Sequence, residues 1–167
     1  MNANLVRRGA IAGMIGGAVM AMWSMVVLAA TGAGFWQPLD LIAHTVWRGA
    51  PLNGTFSAGA LVLGMAIHMM TSAMLGVVIA GAAQRLRSVG ALAAGMGVGL
   101  SVWLVNQYAV WPLIDSASAD RFTPWVFAVG HVMYGVATAL VALRVTQSVT
   151  KPRRGTSTTA RIAHAAH

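Results

Sequence analysis

Four stretches of this chain carry no charged side chain for long enough to cross a bilayer, and they constrain its fold more than any other feature. They run from about 9 to 31, 57 to 83, 89 to 111 and 122 to 144, the last uncharged as far as Leu143 and closed by Arg144. A hydrocarbon core of about 30 Å takes roughly 20 residues in a helix, and a helix satisfies its own backbone polar groups there. A longer connection, a very short turn and an intermediate one join the stretches in that order. The pattern predicts an all-α membrane protein with four transmembrane helices in an up-down-up-down bundle, a domain covering residues 1–145.

Composition agrees. The 167 residues are 57% hydrophobic and 8% charged, with a mean hydropathy of +0.71, whereas soluble domains carry about 25% charged residues. A water-soluble globule is excluded. Eleven Lys and Arg against three acids give a formal charge of +8, a balance that first suggests nucleic acid. Position argues otherwise. With both termini inside, the inner side holds Arg7, Arg8, Arg85, Arg87, Arg144, Lys151, Arg153, Arg154 and Arg161, leaving Arg48, Arg121 and all three Asp outside. Cations near span ends are retained on the cytoplasmic side. The expected setting is therefore a bacterial inner membrane with both termini cytoplasmic; the partner is the lipid bilayer, and no nucleic acid is expected. Trp36, Trp47, Trp111 and Trp125 fall near the outer boundary, where amphipathic indoles settle. The first apolar stretch is longer than a signal-peptide core, so it is expected to stay as a helix. Residues 146–167 read as a disordered basic cytoplasmic tail.

The halves share an order of features. Gly9-Ala10-Ile11-Ala12, Trp23, Pro38-Leu39-Asp40 and Ile67-His68-Met69-Met70 are followed later by Gly90-Ala91-Leu92-Ala93, Trp103, Pro112-Leu113-Ile114-Asp115 and Gly130-His131-Val132-Met133. Two spans per half would make this a parallel two-helix repeat. Gly9, Gly13 and Gly17, and likewise Gly95 and Gly99, recur at intervals of four. Small-residue stripes let helix backbones approach in lipid, either as seams inside the bundle or as a homo-oligomer face.

The residues that most need a reason are the polar ones at membrane depth. His68 and His131 fall about 10 to 16 Å below the outer ends of their spans. Each should face the bundle interior. Ser72, Asn106, Gln107 and Tyr134 lie at similar levels, which predicts one interhelical polar cluster. Several chemistries fit it: hydrogen bonds that fix helix rotation, axial ligation of haem b by His68 and His131, or a path for protons or small solutes. Copper is a further option, since Met65, Met69, Met70 and Met74 surround His68 and thioethers suit Cu(I). The chain has no cysteine and no glutamate, and no catalytic residue is nominated; a non-enzymatic protein with a structural, accessory or stress-related role and no bound cofactor is expected, haem b being the alternative. His44, with Asp40, Arg48, Trp36 and Trp47, reads as a short amphipathic element lying on the outer leaflet. Asp115, Asp120 and Arg121 are expected to pair locally or face water.

These same segments carry a family resemblance. Gly9-Ala10-Ile11-Ala12-Gly13, Ile67-His68-Met69-Met70-Thr71-Ser72, Gly90-Ala91-Leu92-Ala93-Ala94-Gly95, Trp111-Pro112-Leu113 and Phe127-Ala128-Val129-Gly130-His131-Val132-Met133 resemble the YagU-like family of bacterial inner-membrane proteins of unknown function. The resemblance covers most of residues 9–143. It implies a four-span inner-membrane protein in which the two histidines belong to the family pattern, and it brings no established activity or cofactor.

Overall fold

The structure, a computed structural model, describes residues 3–150, with side chains through residue 144. Its described residues form seven helices and no strand: α1 (Ala3–Ala30), α2 (Gln37–His44), α3 (Ala58–Ala83), α4 (Ser88–Val105), α5 (Trp111–Ile114), α6 (Ser116–Ala119) and α7 (Pro124–Thr150). A π-helical turn, Asn106–Val110, joins α4 to α5 without a break. Four helical segments are long and apolar enough to cross a membrane: Ala3–Ala30, Ala58–Ala83, Ser88–Ile114 and Pro124–Arg144. This is a multi-pass α-helical membrane protein of the expected four-helix form.

The boundaries follow local chemistry. The Ser57 hydroxyl accepts from the Ala60 backbone N–H and starts α3. Pro124 opens α7, where its missing N–H costs nothing. Pro112 sits just inside α5, and its ring would crowd the carbonyl of Tyr108 in a regular α-helix. The π turn over Asn106–Val110 widens the helix at that point, and the Trp111 N–H reaches back to the Asn106 carbonyl. Two boundaries differ from expectation. α1 begins well before residue 9, taking Arg7 and Arg8 into the helix. α7 continues to Thr150, so residues 146–150 of the expected tail are helical, and 151–167 lie outside the described residues.

Two glycine seams hold the bundle together. A methyl group added at Gly13 would stand 2.8 Å from the Gly76 Cα, so α1 and α3 meet backbone to backbone. At the second seam, a methyl at Gly95 would strike the Gly135 carbonyl oxygen of α7 and stand 3.0 Å from its carbon. Each half of the chain is thus a helix pair closed by a glycine contact. Gly9, Gly17 and Gly99 join the same seams, meeting Val77, Ser72 and His131 respectively. The faces that offered a homo-oligomer contact in the sequence, Gly9/Gly13/Gly17 and Gly95/Gly99, are therefore occupied within the chain. α1 also packs along α7, and these two are the more deeply buried spans.

Candidate functional site: a neutral chamber under two joined loops

Toward the end carrying α2, the four spans separate around a cavity of about 300 Å³. All six residues expected to form the polar cluster, His68, Ser72, Asn106, Gln107, His131 and Tyr134, line it. They come from two helices, α3 and α7, and from the π turn, which widens the backbone where Asn106 and Gln107 enter the wall. The rest of the wall is largely apolar, with Trp103, Trp111, Phe122 and Phe127 supplying aromatic surface. No Asp, Glu, Lys or Arg is part of the lining.

The polar side chains bond to backbone carbonyls more than to each other. His68 Nε2 lies 3.0 Å from the Gly17 carbonyl oxygen of α1. His131 Nδ1 lies 2.7 Å from the Phe127 carbonyl of its own helix. The Tyr134 hydroxyl donates to the Ser72 carbonyl at 2.7 Å, tying α7 to α3. A carbonyl oxygen only accepts, so His68 must carry its proton on Nε2 and His131 on Nδ1. In each neutral ring the other nitrogen keeps its lone pair. Neither His68 Nδ1 nor His131 Nε2 has a hydrogen-bond partner among the described residues, nor do the side-chain amides of Asn106 and Gln107. The Ser24 hydroxyl and the Trp103 indole N–H also lack one, but both atoms are closed off from the cavity itself. Buried polar atoms of native proteins are nearly always bonded to protein or solvent, so the ring nitrogens and amides in this wall are free to meet solvent or a bound molecule.

The four methionines around His68 are not part of this arrangement. None of Met65, Met69, Met70 and Met74 lines the cavity, and Met70 and Met74 are 63% and 66% exposed. Among the described residues, no three His, Asp or Glu side chains are grouped to hold a metal ion.

Over the chamber, the structure corrects two expectations about the loops. α2 does not lie on the leaflet surface. Gln37, Pro38, Leu39, Asp40, Leu41, Ala43 and His44 are all buried, and a methyl at Gly64 of α3 would meet the Leu39 backbone. The apolar residues of α2 find protein rather than lipid to cover them, and Leu39 and Ile42 form part of the chamber wall. Asp115 is likewise buried, at 3% exposure, while Asp120 and Arg121 remain exposed. Asp115 Oδ2 accepts from His44 Nδ1 at 2.6 Å and from the Ser118 hydroxyl at 2.6 Å. Its Oδ1 faces Arg48 Nη1 at 2.6 Å and caps α6 through the Ser118 N–H at 3.2 Å. Arg48 Nη2 also donates to the Ile114 carbonyl at 2.6 Å. This latch binds the connection between α1 and α3 to the connection between α5 and α7. Burial alone would raise the Asp115 carboxyl, but the hydrogen bonds from His44 and Ser118 outweigh it and hold the group at about 2.

Ser118, His44 and Asp115 do not form a nucleophilic triad. In a triad the serine and the carboxylate meet opposite ring nitrogens; here Ser118 Oγ, 3.3 Å away, and Asp115 both meet Nδ1 of His44. Ser118 is also fully buried. Nearby, Asp40 is 1% exposed and neither of its carboxyl oxygens has a partner, so burial pushes its carboxyl up to about 6.

The site contains groups that the sequence did not single out. Ser24 and Trp103 resembled ordinary span residues, and Ser118 an ordinary loop residue. The π turn had one readable signal, Pro112 one turn beyond Tyr108 at the end of an apolar span. No family model, curated protein or solved structure matches this chain.

Proposed function

We propose that this is a non-enzymatic, ligand-binding protein of the bacterial inner membrane, with both termini cytoplasmic, and that its chamber holds a small lipid-soluble molecule. One observation carries the reading: a cavity of about 300 Å³ among the spans is lined by neutral polar groups, the free ring nitrogens of His68 and His131 and the amides of Asn106 and Gln107 among them, set in an apolar wall. Sites for small molecules have this make-up, a mainly apolar concavity with a few convergent polar groups. The glycine seams fix the helices around it, and the His44–Asp115–Arg48 latch covers its outer end. The resemblance to the YagU-like family is compatible with such an accessory role. The test is to purify the protein from its native membrane and identify what is extracted with it by mass spectrometry. One compound near stoichiometric amount, absent from a Val102→Phe variant that fills the wall, is the expected result. An empty protein, or equal recovery from the variant, would remove the reading.

A second reading places haem b between His68 and His131. The hydrogen bonds to Gly17 and Phe127 favour it, because metal-bound imidazoles usually donate their other N–H to such an acceptor. A Soret band in the native-source protein, lost in both His68→Ala and His131→Ala, is its expected signature. A colourless preparation would exclude it.

A further inference from the structure

We infer that the molecule held in the chamber is a neutral, ring-sized hydroxyl compound of phenol or hydroquinol type, donating its O–H to the free nitrogen of His68 or His131. The inference rests on the ligand-binding reading and names the chemistry of that site.

Charge gives the first restriction. With no acidic or basic side chain in the lining, an anion or cation would enter without a counter-charge at membrane depth, where burial of an unpaired ion is prohibitively costly. The occupant is neutral.

Hydrogen-bond polarity gives the second. The protein has already taken up the single proton of each imidazole, Nε2 of His68 toward Gly17 and Nδ1 of His131 toward Phe127. What remains on both rings is a lone pair, so the histidines can only accept. A ketone, ether or ester offers them nothing. A hydroxyl donates to them, and its own oxygen can accept from the side-chain amide of Asn106 or Gln107 in the same wall. A group with both functions completes both sides of the site at once.

Shape gives the third. A cavity of about 300 Å³ stands at the small end of the range for bound organic molecules, roughly 300 to 1,000 Å³. Trp103, Trp111, Phe122 and Phe127 form aromatic wall, and Trp111 already stacks on Phe122 with ring centroids 4.9 Å apart. Such a wall favours a flat ring in offset or edge-on contact over a flexible chain.

The experiment uses the full-length protein in nanodiscs, with empty nanodiscs as the reference for partition into lipid. Binding of 4-fluorophenol and of 4-fluoroanisole is followed by ¹⁹F NMR. The two probes share ring and fluorine, and the methyl ether lacks only the donor. Saturable binding of 4-fluorophenol, at least about tenfold tighter than that of the ether, is expected, since a factor of ten corresponds to the loss of about one hydrogen bond. His131→Phe and His68→Phe should each narrow the ratio. Equal binding of both probes to the wild type overturns the hydroxyl assignment and leaves the chamber reading standing. Saturable binding of neither probe overturns both. Because the deciding comparison is made on the wild type, it does not depend on a variant folding.

Discussion

Replacing Asp115 by Asn tests the latch that joins the α1–α3 connection to the segment before α7. The carboxylate is 3% exposed and takes short hydrogen bonds from His44 and Ser118 on one oxygen, with Arg48 on the other. Arg48 is more than half exposed, so its ion pair contributes at most about 1 kcal/mol. The buried bonds matter more, since a hydrogen bond to a charged group is worth about 1.5–3 kcal/mol. Asn keeps one acceptor and loses the charge, which removes about 2–3 kcal/mol in total. Linkage gives a similar figure: a carboxyl lowered from 3.8 to about 2 stabilises the folded state by about 2 kcal/mol at neutral pH. For a lowered carboxyl that contribution is complete above the unfolded value and fades as pH falls from about 4 toward 2. Thermal unfolding in detergent, followed by tryptophan emission, should therefore show Asp115→Asn melting several degrees below wild type at pH 7. The gap should shrink in acid as the wild type loses its own charge. Superimposed melting curves at pH 7, or a gap that does not change down to pH 3, would refute the assignment.

Other outcomes follow from the same structure. Asp40 is buried without a partner and raised to about 6, so the folded state binds its proton more tightly than the unfolded chain does. Stability should fall as pH rises from about 4 through 6, and Asp40→Asn should recover up to about 3 kcal/mol at pH 7 in chemical denaturation. Gly13→Leu should abolish the folded bundle in size-exclusion chromatography because it meets the backbone of Ser72 and Gly76. Gly81→Ala, with nothing within 4 Å of the added carbon, should leave it intact and raise its melting temperature slightly. Tyr134→Phe should cost about 1 kcal/mol in the same unfolding assay by removing the hydroxyl's bond to the Ser72 carbonyl, which ties α7 to α3.

The spans were legible because the membrane imposes its demand residue by residue, and one charge in the middle of a run would have refused it. The six polar wall residues were legible for the converse reason: His68 or Asn106 in an apolar helix stands out in one dimension. The latch was not. His44 and Asp115 are 71 positions apart, and Asp115 has the exposed Asp120–Arg121 pair close by in sequence, which suggested a local partner. The burial of α2 was hidden similarly, since an amphipathic turn reads the same whether lipid or protein covers it. A cavity leaves no residue of its own; it results from how far the glycine seams at Gly13–Gly76 and Gly95–Gly135 draw some helices together and leave others apart.

The central claim, that the spans leave between them a space a small molecule can enter, is tested most directly by a probe with size and no chemistry. Xenon enters apolar cavities without needing a hydrogen bond. Measured by ¹²⁹Xe NMR in nanodiscs, the wild type should show a saturable site that disappears in Val102→Phe, a wall substitution, while both proteins melt at similar temperatures. A xenon response that rises only linearly with pressure, the same in wild type, variant and empty nanodiscs, would contradict the account.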